Sequence, residues 1–178
     1  MQSFLIVEQI ESQGDCMFKI NDVIVYENGG VCQIRDIGVP DFIKTGQVYY
    51  KLQPLNTTGN IIYVKLENKH MLRYTISKKQ AEQYVGSLPE LEGIYNKNNK
   101  FREKEYAEIL KTGDYKQYLE VYKGIELEKS KRSLIGKNLN TTDDRNLKKI
   151  EKLICSEFSV AMEISEEEVR QKMMAACF

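Results

Sequence analysis

The hydrophobic pattern of this 178-residue chain changes period once, near residue 76, and that switch limits it to two kinds of structure in series. Before the switch, short β-branched and aromatic runs are separated by turn residues. Asp22-Val23-Ile24-Val25-Tyr26 ends at Asn28-Gly29-Gly30, a hairpin signal because Asn and Gly tolerate positive φ. Val31-Cys32-Gln33-Ile34-Arg35-Asp36-Ile37 follows as its partner, alternating only in places. A loop around Pro40, Lys44 and Gly46 leads to Gln47-Val48-Tyr49-Tyr50-Lys51-Leu52. A second turn, Asn56 to Asn60, precedes Ile61-Ile62-Tyr63-Val64-Lys65-Leu66. Short strands packed this densely predict a small, strongly bent antiparallel barrel of the Tudor or SH3 kind.

Beyond Ser77 the spacing is helical. Ser77 reads as the N-cap of a helix that Gly86-Ser87-Leu88-Pro89 stops. Asn96-Lys97-Asn98-Asn99-Lys100 reads as a linker or a packed loop. A helix from Phe101 to Lys111 then ends at Gly113, a C-cap residue. Asp114 with Gln117, Thr141 with Asp144, and Ser165 with Glu168 have capping-box spacing and open three more helices. The helix opened by Asp114 carries Tyr115, Tyr118, Leu119, Tyr122 and Ile125 on one face, and the one opened by Thr141 carries Leu147, Ile150, Leu153, Ile154 and Phe158. The expected fold is therefore α+β by domains, a small N-terminal antiparallel Tudor/SH3-like β-barrel followed by a compact C-terminal all-α domain. The expected bounds are 1–16 for an N-terminal extension, 17–76 for the barrel, 77–95 for a connecting helix and linker, and 96–178 for the helical domain. Residues 1–16 read either as an extension or as an extra element docked on the barrel.

Formal net charge is zero, but the cations are not spread evenly. Residues 96–152 carry an excess of roughly +5, residues 1–95 about −2 and the tail about −3. Lys129, Lys131, Arg132 and Lys137 fall at the end of one helix and in the next loop, and Arg145, Lys148 and Lys149 open the following helix. Such a stretch suits phosphate contact, or else forms a solvated face with the interleaved Glu126, Glu128, Asp143, Asp144 and Glu151. No Arg/Asn recognition helix for base readout stands out.

Chemistry beyond binding has little to build on. A single histidine, His70, and four scattered cysteines give neither a Cys/His dyad nor zinc-ligand spacing. Gly29-Gly30 lacks the patterns of a nucleotide-phosphate loop. No catalytic residue, metal site or cofactor is expected, and no segment reads as a signal peptide or membrane span. The chain is expected to be cytoplasmic and monomeric.

The run from Phe18 to Ile37, then Tyr49-Tyr50-Lys51-Leu52, Ile62-Tyr63-Val64 and Leu72-Arg73, resembles the barrel of the CarD/CdnL family of bacterial transcription regulators. The polymerase-interacting domain of transcription-repair coupling factor has the same barrel. Leu110-Lys111-Thr112-Gly113-Asp114, and Leu139 to Asp144 followed by Leu147 and Leu153, fit the family's helical half. The resemblance implies a non-enzymatic regulator whose barrel pairs an edge strand with the RNA polymerase β subunit, with Tyr49, Ile61, Ile62, Tyr63 and Lys65 as the binding residues. It further implies that the helical domain contacts promoter DNA without sequence specificity and modulates open-complex stability. Phe101, Arg102, Lys129, Lys131, Arg132, Lys137, Arg145, Lys148 and Lys149 are its expected DNA contacts. The chain departs from the family in having no Trp, because the family's minor-groove wedge would fall at about Asn99. Phe101, the nearest aromatic, is either a substitute wedge or the core anchor of a short helix, and the need of such a helix for an apolar anchor favours the core. Lys65 stands where the family often has Pro, and the loop from Gly38 to Gly46 is longer than the family's shortest. The competing reading is an RNA- or ribosome-associated binding module, since similar small barrels occur there.

Overall fold

The computed structural model describes residues 18–27, 30–57 and 59–178. The expected extension at 1–16, and Asn28 and Gly29 of the first turn, lie outside the described residues. The chain divides between Thr75 and Ile76 into two compact units, each with its own apolar core.

In the first unit β1 (Val23–Tyr26), β2 (Gly30–Gly38), β3 (Tyr49–Pro54), β4 (Ile62–Lys65) and β5 (Leu72–Tyr74) form one antiparallel sheet. The strand order is β4-β3-β2-β1-β5, so β4 and β5 are the two edges, although only a 3₁₀ segment, Leu66–Met71, separates them in sequence. Hydrogen bonds do not close the sheet into a complete barrel. Its core is Phe18, Ile24, Cys32, Ile34, Ile37, Tyr50, Leu52, Val64 and Leu72. The imperfect alternation of β2 has a structural cause. Cys32 and Ile34 point inward with even parity, yet Ile37 is also buried, because the register against β3 shifts between Ile34 and Asp36. A bulge there inserts one residue and returns the next apolar side chain to the core. Tyr50 is inside opposite Val64, which puts Tyr49 on the other face, opposite Lys65.

The second unit is helical: α1 (Lys78–Ser87), α2 (Asn99–Thr112), α3 (Tyr115–Ser133), α4 (Thr141–Met162) and α5 (Glu166–Cys177). Ser165 forms the reciprocal capping box with Glu168 that its spacing predicts, and Ser77, expected as an N-cap, forms one with Gln80. Two other caps differ from expectation. Asp114 accepts from Lys116 N at 2.8 Å, and Gln117 does not reach back to it. The cap of α4 is Asn140 rather than Thr141, since its side-chain oxygen accepts from Asp143 N at 2.8 Å and its amide donates to Asp143 Oδ2 at 2.7 Å. Asn98 caps α2, which therefore begins two residues before Phe101.

Residues 77–95 are part of the helical unit and do not connect to it from outside. Ala81, Val85 and Leu88 are buried in the same core as Tyr106, Tyr122, Ile150, Phe158 and Met173. The chain after Leu91 crosses α3 so closely that a Cβ on Gly124 would lie 2.1 Å from Ile94 O, so only glycine fits there. Ile94 N donates to Glu120 O at 2.9 Å, and buried Lys123 donates to the carbonyls of Leu88 and Pro89 at 2.8 and 2.9 Å. Those bonds hold the 3₁₀ turn Leu88–Glu90 and the chain after it against α3. The Asn96–Lys100 run is exposed but tied down, because Asn96 O and Asn99 Oδ1 accept from the Arg102 side chain.

Candidate functional site

Among the described residues, each unit has surface that its own packing leaves unused. In the first unit this is the β4 edge. Leu66 N donates to Val48 O at 3.1 Å, which sets the phase of the β3–β4 ladder. In an antiparallel pair the bonded positions alternate, so Ile62 and Val64 bond to β3 while the backbone of Tyr63 and Lys65 points away from the sheet. The side chains alternate as well. Ile62 is turned inward and packs against the core, whereas Ile61 and Tyr63 are exposed. Ile62, expected among the polymerase contacts, thus has its side chain on the core side of the strand. Tyr49 is half-buried, and Lys65 is partly exposed with Glu67 at 3.3 Å.

Phe42, which sequence reasoning passed over, completes this surface. It is 64% exposed, and its ring meets that of Tyr63 edge-on with centroids 5.0 Å apart. Edge-to-face pairs are stabilising, yet this one is held out in solvent instead of in the core. The available signal was an aromatic residue inside a polar loop, between Asp41 and Lys44.

In the second unit the expected DNA residues separate into three groups. Arg102 is only 2% exposed, and its guanidinium lies on Asp143 in a bidentate pair, Nε to Oδ1 and Nη2 to Oδ2 at 2.8 Å each. Tyr95 donates to Asp143 at 2.8 Å, and its ring lies 4.3 Å from the guanidinium carbon. Burial first, and then the bond to Asp143, push the Tyr95 phenol up to about 12. Arg102 thus joins the starts of α2 and α4; it is buried and all three of its guanidinium nitrogens are bonded inside the unit, so the expected DNA contact is not on the surface. Phe101 is corrected in the opposite sense. It is 66% exposed, while Tyr106 and Arg102 on the same helix supply the buried anchors. Its surroundings are mixed in charge, a shallow groove shared with Lys104, Glu105 and Glu108.

The lysines and arginines around the α3–α4 connection form the third group. Lys129, Arg132 and Lys148 are neutralised by Glu126, Glu128 and Asp144 at 2.9, 2.7 and 2.7 Å. Lys131, Lys137, Arg145 and Lys149 are exposed and make no ion pair among the described residues. Between them stand Leu134 and Ile135, which sequence reasoning also passed over and which are 85% and 66% exposed. The signal for these was an apolar pair set directly before Gly136 in a cationic stretch. Among the described residues there is no group of three or more His, Cys, Asp or Glu placed to hold a metal, and no helix long and apolar enough to cross a membrane.

Residues 18–76 match the CarD-like/TRCF RID domain, and residues 85–174 match the CarD C-terminal domain. The chain belongs to the CarD family, a family of non-enzymatic transcription factors, and as such is an RNA polymerase-interacting transcription regulator. No curated protein matches it.

Proposed function

We propose that this regulator pairs its β4 edge with a strand of the polymerase β subunit, and that its helical unit holds promoter DNA through phosphate contacts and so changes the lifetime of the open complex. The observation that carries the reading is the β4 edge. Its Tyr63 and Lys65 backbone groups point away from the sheet, and the exposed Phe42–Tyr63 pair stands beside it. Open edges invite self-association and are normally blunted, so one flanked by exposed aromatics fits a strand partner. Main-chain bonds then supply affinity, and the aromatic pair, Ile61 and Lys65 supply selectivity.

For DNA, the exposed cations Lys131, Lys137, Arg145 and Lys149 are the contacts best placed to neutralise phosphates. Lys129, Arg132 and Lys148 must first exchange their carboxylate partners. Four phosphate contacts support only weak, salt-sensitive and sequence-independent binding, with a dissociation constant on the order of micromolar or weaker at physiological salt.

The deciding experiment is capture of a purified β-subunit fragment by the full chain. Tyr63→Pro removes an outward N–H without touching the β3 ladder, whereas Tyr63→Thr keeps the N–H and loses only the ring. Capture lost in the first variant and weakened in the second is the expected result. Equal capture by wild type and Tyr63→Pro would reject strand pairing at this edge.

A further inference from the structure

The two edges of the sheet are finished differently. Glu27 N donates to Met71 O at 3.1 Å, so Arg73 bonds to β1 and the backbone of Leu72 and Tyr74 points away from the sheet. Those outward groups are taken up locally: Leu72 N donates to Lys69 O, and Arg73 Nη1 donates to Tyr74 O at 3.1 Å. With only three residues, β5 is also short. Shortness and local bonding both blunt an edge. On β4, by contrast, the outward N–H groups of Tyr63 and Lys65 meet no acceptor among the described residues. Ile61, Tyr63 and Phe42 stand exposed beside them. An apolar edge of this kind promotes aggregation unless something covers it.

The chain carries a segment that matches this edge. Phe4-Leu5-Ile6-Val7 is apolar at every position, so a strand of that sequence is apolar on both faces in either register. The β4 strand is apolar on both faces as well, with Ile62 and Val64 on the core side and Ile61 and Tyr63 outside. The charges are complementary. Residues 1–16 hold Glu8, Glu11 and Asp15 and no Lys or Arg. Around Tyr63, Lys51 stands directly opposite on β3, and Lys65 follows two positions along β4. The reach is sufficient too. Phe18 is buried with its ring 6.0 Å from that of Tyr50, and Tyr50 lies opposite Val64 of β4. The ten residues between Val7 and Phe18 span up to roughly 33 Å, against a strand spacing of about 4.8 Å.

We infer that residues 4–7 pair with β4 through the outward backbone groups of Tyr63 and Lys65, and cover the edge until a partner strand displaces them. The pairing needs only the open edge; its effect on the polymerase rests on the proposed β-subunit contact there. A tethered strand competes through its population. An outside strand binds more weakly in proportion to the fraction of chains whose edge is open. The same fraction sets how fast the outward amides exchange with solvent, so the two effects have one magnitude.

The test follows amide hydrogen exchange of the full chain by nuclear magnetic resonance, beside capture of a purified β-subunit fragment. Leu5→Pro with Ile6→Pro removes two adjacent N–H groups, one of which faces β4 in either register, and changes no described residue. In wild type the Tyr63 and Lys65 amides are expected to exchange roughly fivefold more slowly than in the proline variant, and the variant should capture the fragment more tightly by the same factor. Ile62 and Val64, bonded to β3, should exchange alike in both proteins and so report that the sheet is intact. Equal exchange at Tyr63 and Lys65 in the two proteins overturns the inference. A difference at Tyr74 instead also overturns it, because the segment then lies on β5. Protection at Tyr63 that fades on dilution belongs to a second copy of the chain, and the inference fails. Slowed exchange relieved by the prolines, with equal capture by both proteins, overturns the competition. Slowed exchange relieved by the prolines, with no capture by either protein, upholds the pairing and removes the polymerase reading at this edge.

Discussion

Replacing Arg102 with Ala tests whether this arginine is a strut or a DNA contact, because the two roles predict opposite phenotypes. Both members of the Arg102–Asp143 pair are almost wholly buried, and their two bonds of 2.8 Å are joined by bonds to Asp143 from Tyr95 at 2.8 Å and Asn140 at 2.7 Å. Removing the guanidinium leaves the carboxylate without its counter-charge in a site closed to water, a change that costs about 3–5 kcal/mol. In a helical unit of this size each kilocalorie lowers the melting temperature by roughly 4 °C or more, so a fall of roughly 12–20 °C is expected. Asp143→Ala should fall by a similar amount. The pair as a whole is worth much less than either half suggests, so Arg102→Met with Asp143→Leu should recover much of the loss. Circular dichroism melts of wild type, the two alanine variants and their alanine double give the coupling, and the Met/Leu double reports the recovery. DNA binding, measured well below each melting point, should change little, since no exposed cation is removed. An Arg102→Ala protein that melts within a few degrees of wild type but no longer shifts duplex DNA would refute this reasoning and return Arg102 to the surface.

Phe101→Ala should cost about 1 kcal/mol in a denaturant titration, because only about a third of the ring is covered and full burial of Phe is worth roughly 3–5 kcal/mol on truncation. A loss above about 2.5 kcal/mol would mean that the ring is in the core in solution. Charge reversal at Arg145 and Lys149 together should weaken a low-salt gel shift without altering circular dichroism, and an unchanged shift would remove α4 from the DNA face. Alkali should unfold the helical unit. Burial pushes the thiols of Cys155 and Cys177 up to about 12 and about 11, and the Tyr95 phenol up to about 12, from ordinary values near 9 and 10. Raised acids of this kind keep the folded state fully favoured below their unfolded-state values. The melting temperature should therefore hold to about pH 9 and drop as pH rises through 11 to 12, and a flat profile to pH 12 would contradict their burial.

What could be read from the sequence is what short-range physics controls. The change of period near residue 76 separates sheet from helices, because alternation buries one face of a strand and a spacing of three to four buries one stripe of a helix. Ser77, Ser165 and Gly113 mark helix ends because each acts on backbone within a few residues of itself. Parity alone set Tyr49 and Tyr50 on opposite faces, and the inner one is Tyr50.

The functional surfaces were less legible, since they depend on residues distant in the chain. Arg102 looks like a free cation until Asp143, 41 positions away, is folded against it. Phe101 looks like a necessary anchor until Tyr106 and Arg102 take that place. Phe42 acquires its meaning from Tyr63 on another strand, and Ile37 from a bulge that shifts the register by one residue. Leu134 and Ile135 have only the weak signal of an apolar pair before Gly136, and the glycine-capped turn of the folded chain leaves them exposed. Local propensity decides which backbone forms where, but whether a side chain is buried, paired or left to a partner depends on what the rest of the fold brings within a few ångströms of it.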